Sequence, residues 1–342
     1  MSLIASAIRT VERSPLPDPV TRTGIDFLVG RTRRSLLESP ATHEQTFVRA
    51  MADHPIAEHT QAANEQHYEL PPAFFGLVLG PRRKYSSCLY RRGDESLVQA
   101  EGLALEETVQ HADLTDGQNI LELGCGWGSL TLFMAERLPA ARITAVSNSA
   151  PQRAYIEAEA RAKGLANVRV ITADMNSFYP DAKFDRIVSV EMFEHMSNWQ
   201  KLLERVRSWL APEGRLFIHV FTHKSRSYRF NHRDKSDWIA QHFFTGGIMP
   251  SRDLIRHFPT LFDVEREWRW NGCNYQRTAN QWLANMDANL PEIDRILAGV
   301  YGKDALIWRR RWRLFFLATA GLFGHKNGEE WGVSHYRLRA AE

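Results

Sequence analysis

The stretch Ile120-Leu-Glu-Leu-Gly-Cys-Gly-Trp-Gly128 decides the fold of this chain, because an apolar strand that breaks into alternating glycines describes a ligand-binding loop. Glycine lets the backbone take positive φ and approach a ligand with no Cβ in between, and the helix after the loop offers free N–H groups at its start. The spacing excludes the dinucleotide fingerprint. G-x-G-x-x-G begun at Gly124 needs its third glycine where the chain has Ser129, and that glycine comes one residue early, as Gly128. Taken alone, the triplet is also compatible with an ordinary tight turn between a strand and a helix.

The downstream sequence favours the ligand loop. Apolar runs at Arg142-Ile-Thr-Ala-Val146, Val168-Arg-Val-Ile-Thr172, Phe184-Asp-Arg-Ile-Val-Ser-Val190 and Arg215-Leu-Phe-Ile-His-Val-Phe221 are separated by segments of helical period, including Ala150 to Lys163 and Trp199 to Leu210. Such alternation predicts an α/β fold with a parallel, doubly wound sheet. Ligands of that architecture sit outside the carboxyl ends of the strands. Those ends are polar here: Ser147-Asn148, Asp174-Met175, Glu191 to His195, and His223.

Composition fits an enzyme of this class. With 342 residues, 44% hydrophobic and 24% charged, the chain can bury one large core with an added cap. A net charge of +3 gives no concentrated basic face, and we expect no nucleic-acid partner. Three cysteines without C-x-x-C spacing, Cys88, Cys125 and Cys273, suit a reducing, cytoplasmic setting. The longest apolar run, Leu314 to Phe323, has about ten residues against the roughly twenty that cross a bilayer. It comes after Arg309-Arg-Arg-Trp-Arg313, so it reads either as a buried cap helix or as a peripheral contact with a lipid surface. Residues 1–65 read as a helical appendage whose start, Ser14-Pro-Leu-Pro-Asp-Pro19, is flexible; residues 66–342 read as the main domain, with a cap insertion over 222–263.

With Glu122 two residues before Gly124, the loop takes the E-x-G-x-G-x-G form typical of S-adenosylmethionine (SAM) methyltransferases. From about Asn64 to Arg339 the chain resembles the cyclopropane fatty acid synthase superfamily of SAM-dependent methyltransferases, and within it the coclaurine N-methyltransferase-like branch. The stretches that carry this are His67-Tyr-Glu-Leu-Pro71, Lys84-Tyr-Ser-Ser-Cys-Leu-Tyr90, Leu121 to Gly128, Ala145-Val-Ser-Asn-Ser149, Val190-Glu-Met-Phe-Glu-His-Met196, Phe243-Phe-Thr-Gly-Gly247 and Asn327-Gly-Glu-Glu-Trp-Gly-Val-Ser-His-Tyr336. The resemblance implies a class I methyltransferase fold with a seven-stranded sheet and SAM as cofactor. It implies that Gly124 and Gly126 approach the cofactor, that Asn148 and Gln152 take its ribose and methionine ends, that Asp174 and Met175 frame the adenine, and that Tyr85 and Ser86 close over the methionine portion.

Methyl transfer to an amine also needs a proton handled, since the protonated amine has no lone pair. Glu191, Glu194 and His195 come after a strand end at i, i+3 and i+4, and would share one helical face. The resemblance implies that Glu191 and His195 orient and deprotonate the amine, with Glu194 beneath them. Acids at a helix start are also stabilised by the helix dipole. A zinc site would need a third ligand in register; none is evident, and we expect no metal. In lipid-modifying members a bound bicarbonate serves as base, held by positions matching Cys88, Glu194, His219 and Tyr275. The expected substrate is therefore a small aromatic or aralkyl amine, with cyclopropanation or methylation of unsaturated fatty acyl chains as the runner-up and non-catalytic SAM binding as a third reading. A homodimer is compatible with all three.

Overall fold

The computed structural model describes residues 3–14, 16–58 and 70–342. The boundary expected near residue 65 and the His67-Tyr-Glu part of one matching stretch lie outside them. Seven strands form the central sheet: β1 (Asn119–Leu123), β2 (Arg142–Ser147), β3 (Val168–Thr172), β4 (Phe184–Val190), β5 (Leu210–His223), β8 (Phe262–Asn271) and β9 (Trp331–Ala340). Between β5 and β8 lies a small ribbon of β6 (Tyr228–Arg229) and β7 (Ile248–Met249). The order across the sheet is β3-β2-β1-β4-β5-β9-β8. β1 to β5 are mutually parallel, and β9 runs antiparallel to both of its neighbours.

The parallel strands are apolar on both faces, as a sheet covered on both sides requires. Along β4 and β5, Ile187, Leu216, Ile218 and Val220 meet Leu202, Leu203, Val206 and Trp209 of the helix Trp199–Trp209. On the opposite face, Val188 and Phe217 meet Leu105 and Val109 of the helix Leu97–His111 and Leu130 and Met134 of the helix Ser129–Arg137. That alternation is the period-2 signature of a strand. β8 and β9 escaped the sequence reading because β8, Phe-Asp-Val-Glu-Arg-Glu-Trp-Arg-Trp-Asn, is an edge strand with a polar exposed centre.

A helical layer caps the end of the sheet where the parallel strands finish. Helices Cys273–Ala288, Leu290–Tyr301 and Ala305–Gly324 pack with Pro72–Val78 around Trp282, Phe316 and Trp312, all at most 1% exposed. The helix Asp18–Leu37 lies along Ala305–Gly324 so closely that a Cβ at Gly321 would stand 2.4 Å from Ile25 Cγ2. Asp18 and Pro19 form the first turn of that helix rather than a flexible lead; the first turn is the one place where a helix tolerates proline, its missing N–H having no partner there anyway.

The basic-to-apolar segment is a single helix whose arginines are paired. Arg309 pairs with Asp294, Arg311 with Glu12, and Arg313 with Asp287 and Asp18, while Phe315, Phe316, Ala320 and Phe323 are buried. These contacts make it a core helix that fastens the N-terminal segment to the cap. Among the described residues, no helix is long and apolar enough to cross a membrane.

The fit at Gly321 is testable. Gly321→Val should displace the helix Asp18–Leu37, costing about 1–3 kcal/mol as overpacking does. A lowered urea midpoint together with faster proteolysis within residues 18–37 is the expected result.

Candidate active site

The loop after β1 holds three glycines at positive φ, +79° at Gly124, +52° at Gly126 and +76° at Gly128, and each has its own reason. A Cβ at Gly124 would collide with Met192 Cβ at 2.6 Å, and one at Gly128 with Ile156 Cγ1 at 2.6 Å, so these two allow close packing. At Gly126 a Cβ would meet nothing within 4 Å. It would point into a cleft, which is the geometry of a backbone left bare for a ligand.

Two clefts meet at this loop, sharing Gly124, Gly126 and Glu191. The first, about 700 Å³, is lined by Ser147, Asn148, Gln152, Asp174, Met175 and His195 among others. Gln152 is held from below, where Ser147 Oγ donates to its Oε1 at 2.7 Å, while its buried Nε2 has no protein partner and is free to donate to a ligand. The second cleft, about 560 Å³, is lined by Tyr85, Ser86, Glu122 and Ser129. Burial pushes the Glu122 carboxyl up to about 8, against the single bond it accepts from Thr131 Oγ1. The structure thus brings every residue expected to meet the cofactor to one or other of two adjoining clefts at the carboxyl ends of β1 to β4.

Glu191 stands where the two clefts join. It is the first residue past β4, and its φ of +48° is a left-handed value that costs a non-glycine residue about 1–3 kcal/mol. Its backbone N–H donates to His219 C=O at 2.8 Å, which fixes the turn. The carboxylate accepts from Ser87 N–H (2.9 Å) and His219 Nε2 (3.2 Å) on Oε1 and from Tyr275 O–H (2.7 Å) on Oε2. Loss of water raises its pKa, and the charge of Lys84 opposes that. Lys84 is a buried cation, its Nζ donating to Ser86 Oγ at 2.5 Å and Ser87 C=O at 2.6 Å. Sequence reasoning missed its role, although Lys84 opens one of the matching stretches.

The expectation that Glu191, Glu194 and His195 share an α-helical face is corrected. Only Phe193–His195 is helical, a single 3-10 turn, and the left-handed kink at Glu191 is what turns the three side chains together. Glu194 is fully buried, and neither carboxylate oxygen has a hydrogen-bond partner in good geometry. Burial first and the neighbouring Glu191 second push its pKa well up. His195 lies flat against Phe244, ring centroids 4.5 Å apart and planes 19° from parallel, and burial drives its pKa down to about 4. The imidazole is therefore neutral at neutral pH. Phe244 packs in turn on Phe221, and Phe221 on Phe323, which stacks on Tyr275 at 4.3 Å, so the polar cluster has an aromatic wall.

Of the residues matched to a bicarbonate site, Tyr275 and His219 are bonded to Glu191. The buried Cys88 thiol donates to Ser86 C=O at 3.8 Å, its pKa pushed up to about 12 by burial.

A glycine-rich loop between β1 and a helix, in a seven-stranded sheet of this order with a cofactor-sized cavity at its carboxyl edge, defines a class I SAM-dependent methyltransferase. Within that class, the chain belongs to the mycolic acid cyclopropane synthetase family, whose model matches residues 57–329. It is 32% identical over 343 residues to an (S)-coclaurine N-methyltransferase of Thalictrum flavum subsp. glaucum, covering 98% of this chain and 95% of that one. The cyclopropane-fatty-acyl-phospholipid synthase of Escherichia coli K12 is 29% identical over 271 residues, covering 79% of this chain and 66% of that protein. Among solved structures, coclaurine N-methyltransferase bound to N-methylheliamine and SAH superposes with a TM-score of 0.95 at 31% identity, covering 99% of this chain and 100% of that one. A mycolic acid cyclopropane synthase complexed with SAH and CTAB shares the fold, with a TM-score of 0.69 at 22% identity over 83% of this chain.

The geometry of the cavity sets two expectations. Gly126→Val should fold but lose SAM binding by calorimetry, because a branched side chain would fill the cleft at an unfavourable φ. Because burial takes His195 from about 6.5 in the unfolded chain down to about 4 in the fold, its own contribution to stability should be complete above about pH 6.5 and be lost as pH falls toward 4. Urea midpoints across that range check this, and His195→Gln should flatten the slope.

Proposed function

We propose that this methyltransferase transfers the methyl group of SAM to the nitrogen of a small aralkyl amine, with Glu191 as the proton acceptor. One observation carries the reading: two carboxylates, Glu191 and Glu194, are buried near one another behind an aromatic wall, and Glu194 has no cation beside it, only the backbone N–H groups of Glu194 and Phe221. Burying a lone carboxylate is costly unless a proton or a cation neutralises it. An ammonium group supplies that positive charge, and an alkene does not. The likeness to coclaurine N-methyltransferase, solved with N-methylheliamine, supports the same class of substrate.

The chemistry is a direct displacement at the sulfonium methyl, so alignment is the main task, and positioning supplies up to about 7–11 kcal/mol. The rest is a proton. Burial weakens His195 as a base and strengthens Glu191, so the two depart from their usual order in opposite directions. Glu191 therefore takes the amine proton, while the neutral His195, held flat by Phe244, accepts a hydrogen bond and orients the lone pair. Tyr275, His219 and Ser87 N–H hold the carboxylate in place. These are donors that a bound carbonate would otherwise use, so Glu191 fills that anion's role, and no carbonate is needed.

Purified enzyme should methylate tetrahydroisoquinoline-like and aralkyl amines. Glu191→Gln and His195→Ala should lower turnover at least about tenfold with SAM affinity near wild type, the signature of a lost acceptor rather than a lost binding site. Methylated or cyclopropane fatty acids in a bacterium lacking its own synthase, without amine turnover, would assign the enzyme to lipid instead. Stripping carbonate from the buffer should leave amine turnover within about twofold, the margin of an unaffected rate.

A further inference from the structure

Behind Glu191 a line of three histidines crosses the sheet. His219 Nε2 stands 3.2 Å from Glu191 Oε1; His219 Nδ1 is 2.8 Å from His335 Nε2; His335 Nδ1 is 2.8 Å from His111 Nδ1. His219 on β5 and His335 on β9 are directly opposite in the antiparallel register, which puts both rings on one face. His111 ends the helix Leu97–His111 that covers this face, and its Nε2 is 3.8 Å from Glu107 Oε1. The inner two rings are fully buried, whereas the side chains of His111 and Glu107 are 12% and 17% exposed. Trp268 stacks on His111 at 3.9 Å, and Trp270 and Phe217 pack against His335, so the line is sheathed in aromatic carbon.

Two proton arrangements satisfy every contact from Glu191 to His111. In one, Glu191 is ionised and each N–H points inward: His219 Nε2–H to Glu191, His335 Nε2–H to His219 Nδ1, His111 Nδ1–H to His335 Nδ1. In the other, Glu191 is a carboxylic acid and each bond is reversed, with His111 Nε2–H facing Glu107. The two differ by one proton, added at the outer nitrogen of His111, and no ring has to turn. We propose that His219, His335 and His111 form a proton wire through which Glu191 exchanges its proton with the protein surface while ligands occupy the front of the site.

Three neutral rings suit such a relay, and burial lowers the pKa of all three. The charges facing the line are Lys84 near its inner end and Glu107, Arg91 and Arg337 near its outer end. Glu191 itself faces Lys84, Tyr275, His195 and Glu194. When the SAM sulfonium arrives beside a protonated Glu191, the O–H bond breaks as His219 Nε2–H forms. Nδ1–H of His219 then passes to His335 Nε2, Nδ1–H of His335 to His111 Nδ1, and Nε2–H of His111 to solvent past Glu107. The bound ammonium then gives its own proton to the emptied Glu191 at Oε2. After methyl transfer, when uncharged S-adenosylhomocysteine and the methylated ammonium have left, that proton passes from Glu191 to solvent through the vacated front of the site while another returns to Oε1 by the reverse steps, so that one proton is released per turnover. The site thereby keeps its charge balanced, and the wire is reset by the cycle itself. This inference rests on Glu191 being the acid of the site, but its test needs no amine.

SAM and S-adenosylhomocysteine are mixed with the full-length enzyme in weakly buffered solution containing a pH indicator, at several values from about pH 6 to 9, a range in which buried carboxyls titrate. SAM should release a proton in a rapid phase at some pH in that range, S-adenosylhomocysteine should not, and Glu191→Gln should abolish the release. His111→Ala, at the rim, should slow it at least about tenfold with its amplitude kept, and added imidazole should restore the rate, as expected when a lost relay base is replaced from solution. His335→Gln should slow it without rescue. No release at any pH, or unchanged rates in both histidine variants, would overturn the wire and leave the amine reading intact. Loss of amine turnover in Glu191→Gln is the separate measure of that reading.

Discussion

Everything at this site depends on one carboxylate being held out of water. Glu191 leaves β4 in a left-handed conformation, and its two oxygens are claimed by Ser87 N–H, His219 and Tyr275. Those donors come from the loop before the helix Leu97–His111, from β5 and from the helix Cys273–Ala288. A buried charge is tolerable only when its bonds are nearly complete, so the carboxylate fixes the mutual position of four segments far apart in sequence. Removing it would leave Glu101 as the one carboxylate acting on the buried cation of Lys84.

That arrangement also separates the protonation states of the cluster. Desolvation acts oppositely on acids and bases, raising Glu191 and Glu194 and lowering His195 in the same small volume. A histidine that titrates near neutrality in water is neutral here, and the carboxylate beside it holds its proton more tightly than an exposed one would. The aromatic wall of Phe221, Phe244 and Phe323 achieves this by excluding solvent, with no charge of its own.

The glycine loop and the next four parallel strands were legible because their signals are local: alternation, glycine spacing, and polar residues at strand ends. β2, β3 and β4 lie within a residue of where the apolar runs put them. The antiparallel edge was not legible, since the exposed centre of β8 carries Glu265, Arg266 and Glu267 and its partner strand is distant in sequence. Trp270 meets Val333 across a separation set by three intervening helices. The site divides in the same way. That Asn148 and Asp174 line the cleft could be read from their place after strand ends, and Gln152 through the family resemblance, whereas the left-handed turn at Glu191, the buried Lys84 and the alignment of His111 with His335 arise only when distant segments pack.

The place of β9 in the sheet has a consequence for how the protein is made. It lies between β5 and β8, although it comes after both in the chain, and among the described residues β8 pairs with no other strand. During synthesis β8 and the three helices after it must wait with an open strand edge until residues 331–340 emerge, the kind of edge on which chains cross-pair. His335 enters with that strand. The hydrogen bond of His335 to His219, behind Glu191, therefore forms with the same strand that joins β8 to the sheet.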